Sequence, residues 1–143
     1  IVYFDEDGRI DRLAPDPALL IRCPRAELGE VRQAVTERLA SDGKVTAVVA
    51  ANQRMGCEVL LACDQQALEV PGRISVIAAG AEAGFRSPYL QRLSCQVMGS
   101  ARQLGQMSVD VLLRSFNEPG ATTLSPAPHW VDRGSIGPPP SAD

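Results

Sequence analysis

Two short, almost uninterrupted apolar runs dominate the hydropathy pattern, Thr46 to Ala51 and Ile74 to Ala79. Continuous apolarity over about six residues, without alternation, predicts strands covered on both faces in a parallel sheet. Parallel neighbours need a crossover, and the residues between supply one. Met55, Val59 and Ala62 recur at helical spacing, and Val70-Pro71-Gly72 closes the segment. The stretch therefore predicts a right-handed βαβ unit with Val48 and Val76 as neighbours or near neighbours at the centre of the sheet. Each strand ends in a small polar or glycine-bearing step, Asn52-Gln53 after the first and Gly80-Ala81-Glu82 after the second. In open α/β sheets ligands bind there, beyond the carboxyl ends of the strands.

The rest of the pattern can be placed around this unit. Ile1 to Phe4 reads as a strand, Asp5-Glu6-Asp7-Gly8 as a tight turn, and Ala18 to Cys23 as a further strand entered through Pro15 and Pro17. Leu28, Val31, Val35 and Leu39 keep one apolar stripe, with Glu27 and Glu30 at the positive end and Arg38 at the negative end of the predicted helix, which stops at Asp42-Gly43. Ala81 to Arg92 is irregular, and Ser94 to Val97 is a short strand. Ala101 to Phe116 is a helix with apolar residues around most of its circumference. Leu104, Met107 and Val111 lie on one side, and Val109, Leu112, Leu113 and Phe116 on another. Such a helix needs partners on both sides, and a face left open favours self-association. Thr122 to Ser125 and Pro128 to Asp132 are short terminal strands, and residues 137–143, opening with Gly137-Pro138-Pro139-Pro140, form a disordered tail. The expected architecture is α/β: three layers, a mostly parallel sheet of four to six strands flanked by helices, one domain over residues 1–136.

Composition narrows the function. The 143 residues suffice for one domain, and 14 scattered basic residues against 17 acidic ones give a net charge of −3, which argues against a nucleic-acid surface on this chain. Cys23, Cys57, Cys63 and Cys95 stand alone in apolar segments, without Cys-x-x-Cys spacing, and read as free buried thiols in a reducing, cytoplasmic compartment rather than a metal site or disulfide framework. Asp5-x-Asp7-Gly8 lacks the later acidic ligands of a calcium loop. No run reaches the length of a membrane span, and the opening residues do not form a signal peptide. His129, the single histidine, sits beside Trp130 in a terminal strand with no nucleophile-elbow pattern to serve, and Ala78-Ala79-Gly80-Ala81 is not a phosphate loop. No catalytic set, metal or cofactor is expected.

Several stretches resemble the LacI/GalR family of transcription regulators. Ala47-Val48-Val49-Ala50-Ala51-Asn52 with the helix after it, Val70-Pro71-Gly72-Arg73-Ile74-Ser75-Val76, Leu104-Gly105-Gln106-Met107-Ser108-Val109-Asp110-Val111-Leu112-Leu113 and Val131-Asp132-Arg133-Gly134-Ser135 are similar to family motifs, in the family's order and near its spacing. The resemblance covers about residues 15–139. It implies the C-terminal lobe of a periplasmic-binding-protein-like (type I) effector domain, with the helix at 101–116 belonging to the other lobe. It also implies a homodimer, a small-molecule effector (a sugar or related compound) in the interlobe cleft, and DNA contact only through a helix-turn-helix outside this chain. The effector residues it implies are Asn52, Gln53, Gly80, Ala81 and Gln96, with Tyr89 as a wall or interface residue.

The match departs from the family at this very edge. Asn52 is kept, but Gln53 stands where the family usually has an acid, Ala79 where it has an aromatic, and Gly80-Ala81 where it has Asp pairs. Each lost charged hydrogen bond costs a polyol roughly 1.5 to 3 kcal/mol, which argues against a standard sugar effector. Two function classes follow: the ligand-sensing and dimerisation part of a regulator, or a periplasmic sugar-binding protein of a transporter. The cysteines and the family motifs favour the first.

Overall fold

The computed structural model describes residues 17–21, 23, 27–41, 43–80, 84–97, 99–117 and 127–140. The strands expected at Ile1 to Phe4 and Thr122 to Ser125 and the turn at Asp5 to Gly8 lie outside the described residues. In chain order the elements are α1 (Leu28–Ser41), β1 (Ala47–Ala50), α2 (Gln53–Gln65), β2 (Ser75–Ala79), β3 (Ser94–Val97), α3 (Ala101–Asn117) and β4 (His129–Val131). Short 3-10 turns at Pro17–Leu19 and Pro88–Gln91 complete them.

The four strands form one sheet in the order β1-β2-β3-β4. β1 and β2 run parallel with Val48 opposite Val76 and Ala50 opposite Ala78, so the βαβ unit and its central pair stand as expected. β3 continues the parallel sheet, Ala78 facing Cys95 and Ala79 facing Gln96, and β4 closes it antiparallel with Gln96 opposite Trp130. Two parallel pairings and one antiparallel pairing make a mixed, mostly parallel sheet.

One face of this sheet is sealed. Val48, Ala50, Val76, Ala78 and Cys95 are buried beneath α2, whose Met55, Val59, Leu60 and Cys63 face them. The α2–sheet contact is closest at Gly56, where an added Cβ would lie 2.8 Å from Leu93 Cδ2 and 3.1 Å from Ala78 Cβ. α1 lies alongside α2 and adds the expected stripe, Val31, Val35 and Leu39, to the same core. The residues of the opposite face, Ala47, Val49, Ser75, Ile77 and Ala79, are only half-buried. Covering of both faces is therefore unequal among the described residues, because runs of Ala, Val and Ser carry the same apolar signal whether fully or partly enclosed.

Local chemistry sets the element ends. α2 stops at Gln65 rather than at Val70. Ala67 takes the left-handed conformation (φ 53°), while Leu68 N–H bonds to Cys63 O and Ala67 N–H to Asp64 O, a Schellman closure built on alanine. The predicted strand at Ala18 to Cys23 is reduced to the turn Pro17–Leu19 and a single bridge at Leu20, since proline fixes φ and brings no N–H to a ladder. Arg73 fastens the loop entering β1, its guanidinium donating to Val45 O (3.0 Å) and Gly43 O.

The chain after β4 returns to β2. Ser135 exchanges bonds with Val76 through its backbone and hydroxyl, and Gly137 N–H donates to Ser75 Oγ while Ser75 Oγ donates to Gly137 O (3.1 and 3.2 Å). Residues 135–137 thus extend the ladder along the half of β2 that β3 does not reach.

α3 stands apart. Only Met107 and Val111 are half-buried, while Val109, Leu112, Leu113 and Phe116 are 55, 55, 57 and 76% exposed. The two apolar sides expected for this helix are present, and the second is open. Ser100 and Gln103 cap its start reciprocally, each backbone N–H bonded to the other's side chain (2.8 and 3.2 Å).

Candidate functional site

The carboxyl ends of β1, β2 and β3 come together on one edge of the sheet. Because Ala50 pairs with Ala78 and Ala79 with Gln96, Asn52, Gly80 and Gln96 follow at the same level. Gly80 has φ +72°, and the space where a Cβ would sit is open, so the chain turns away from β2 in a conformation that only glycine adopts without cost. Ala81 lies outside the described residues.

Asn52 and Gln53 both carry structural duties at this edge. Asn52 is the N-cap of α2, its Oδ1 accepting from Met55 N–H at 3.0 Å, which leaves its amide NH2 as the polar group to offer. Gln53, first residue of the helix, turns inward and is 6% exposed, with Nε2 donating to Cys95 Sγ at 3.3 Å. The same sulfur accepts from Arg133 Nη1 at 3.3 Å, and that guanidinium also donates to Leu93 O. Gln53, Cys95 and Arg133 thereby tie α2, β3 and the segment after β4 together just below the edge. Gln53, which stands where the family usually has an acid, thus takes part in that tie.

Tyr89 is elsewhere. It rides on the flank of α2, beneath Arg92, whose guanidinium lies 5.8 Å from the ring centroid and forms a two-pronged pair with Asp64 (2.9 and 3.3 Å). Burial first and the Asp64 carboxylate second raise its phenol above the usual value. Asp64 is eleven residues along α2 from Gln53, about 16 Å at 1.5 Å per residue, so the hydroxyl of Tyr89 is directed towards the far end of α2. It lines instead a cleft of about 330 Å³ with Leu28, Cys57, Glu58, Leu61, Phe85 and Pro88. Burial raises the Glu58 carboxyl there, partly offset by Arg32 at 3.8 Å.

Behind the edge a polar knot holds the end of the sheet, and sequence reasoning did not single it out. Ser94 Oγ donates to Asp132 Oδ1 (2.9 Å) and accepts from Arg133 N–H (2.9 Å) and Ser135 N–H (3.3 Å). Ser135 Oγ accepts from Ser94 N–H (2.7 Å) and donates to Val76 O (2.6 Å). Gly134 N–H donates to Asp132 Oδ1 as well, and this bond, followed by that from Ser94, holds the Asp132 carboxyl below the usual carboxylate range. The Asp-x-Gly spacing of Asp132 and Gly134 is the turn signal that could have marked it. All four cysteines are free and buried, as expected, and burial pushes the Cys63 thiol up to about 11. Among the described residues no group of His, Cys, Asp and Glu is arranged to hold a metal ion, and no helix is long and apolar enough to cross a membrane.

A structure of this kind is found repeatedly among bacterial regulators. It is similar to a PurR family transcriptional regulator from Vibrio parahaemolyticus RIMD 2210633, with 19% identity, a TM-score of 0.69, and coverage of 83% of this chain and 43% of that one. A LacI family regulator from Arthrobacter sp. FB24, solved in complex with lactose, aligns at 19% identity and a TM-score of 0.69 over 95% of this chain and 56% of its own. A LacI regulator from a Rhodococcus species aligns at 26% identity and 0.66 over 85% of this chain and 44% of its own. The chain thus spans about half the length of these structures. No curated protein matches it in sequence. The family model described as the periplasmic binding protein-like domain matches residues 13–136, nearly the whole chain. With that match the chain belongs to the periplasmic binding protein-like domain family, and its fold is shared with LacI and PurR regulators.

Proposed function

We propose that this chain is the ligand-sensing and dimer-forming portion of a LacI-type DNA-binding transcription regulator that works in the cytoplasm. A small-molecule effector occupies the edge formed by Asn52, Gly80 and Gln96, together with Ala81, and shifts the operator affinity of a helix-turn-helix carried elsewhere in the full protein. The observation that carries this reading is the alignment of Asn52, Gly80 and Gln96 on one sheet edge in a fold shared with regulators, one of them solved with lactose. Gln53 supports the tie to Cys95 rather than the ligand, and Tyr89 belongs to the flank of α2. The edge offers an amide, backbone groups and the half-buried Gln96, with no carboxylate among its described residues.

A thermal-shift screen of sugars, nucleosides and sugar phosphates against the full regulator tests the reading. A true effector at a hundred times its Kd adds about 2.7 kcal/mol to stability and should change operator binding in the same concentration range. Stabilisation by none of these classes, or binding without any effect on DNA affinity, would contradict it. The homodimer follows from the need to present two reading heads to a palindromic operator. Sedimentation at micromolar concentration should give a dimer, and a monomeric full protein would refute that part.

A further inference from the structure

We draw no further inference here: the strongest candidate, the open apolar side of α3 formed by Val109, Leu112, Leu113 and Phe116, carries nothing because no feature of the structure shows what covers it.

Discussion

Ala67 shows how a single backbone conformation carries a testable cost. It closes α2 in the left-handed region with φ 53°, where the Cβ of an L-residue crowds the following carbonyl at roughly 1 to 2 kcal/mol. Ala67→Gly should therefore raise stability by about 1 kcal/mol, part of the relief being offset by the freer unfolded chain. The midpoint of urea unfolding measures it, and an unchanged or lower midpoint would mean that the Schellman closure is not formed. Asp132 gives a residue-scale prediction in pH. Its native pKa lies below the unfolded value, so its contribution is complete above the ordinary carboxyl pKa of about 3.9 and disappears as pH falls through the native one. The stability gap between the wild type and Asp132→Asn should be present at pH 6 and close towards pH 2. A gap independent of pH would show that charge plays no part in the knot. Ala67 carries no turn signal in the sequence; Asp132 carries the local Asp-x-Gly signal of its bond to Gly134, but its other partner, Ser94, lies 38 residues away and is not readable from spacing.

At the scale of elements, the contact that decides the packing of α2 is Gly56. A glycine within a helix ordinarily costs about 1 kcal/mol relative to alanine, so Gly56→Ala would stabilise an exposed helix. Here the new methyl meets Leu93, which is fully buried, and Ala78. Overpacking costs about 1 to 3 kcal/mol, and the substitution should lower stability by about 1 kcal/mol net. In a Leu93→Ala background the same change should become neutral or favourable, because the obstructing side chain is gone; equal effects in both backgrounds would break the argument. The β1-α2-β2 unit and the α1 stripe were readable because burial and periodicity give the same answer there: Val31, Val35 and Leu39 are the buried residues of α1, and Val48 pairs with Val76. The strand at Ala18 to Cys23 was misread because apolarity outweighed Pro17, and the bonds that hold Ser135 to Val76 and Gly137 to Ser75 join residues about 60 apart, which no local pattern encodes.

For the whole molecule, the sheet order turns three separated sequence positions, Asn52, Gly80 and Gln96, into one edge. Strand direction alone made that edge legible, whereas the inward turn of Gln53 and the position of Tyr89 depend on tertiary partners, Cys95 and Asp64, that sequence spacing does not reveal. The proposed effector site lies at the strand ends and not in the cleft between α1, α2 and the Pro88–Gln91 turn. The most direct measurement is amide chemical-shift mapping of the isotope-labelled protein titrated with whichever compound the thermal screen identifies. Saturable shifts centred on Asn52, Gly80 and Gln96, with Tyr89 and Leu61 unmoved, are the predicted result; shifts centred on Cys57, Leu61 and Tyr89, with the strand ends unmoved, would contradict it.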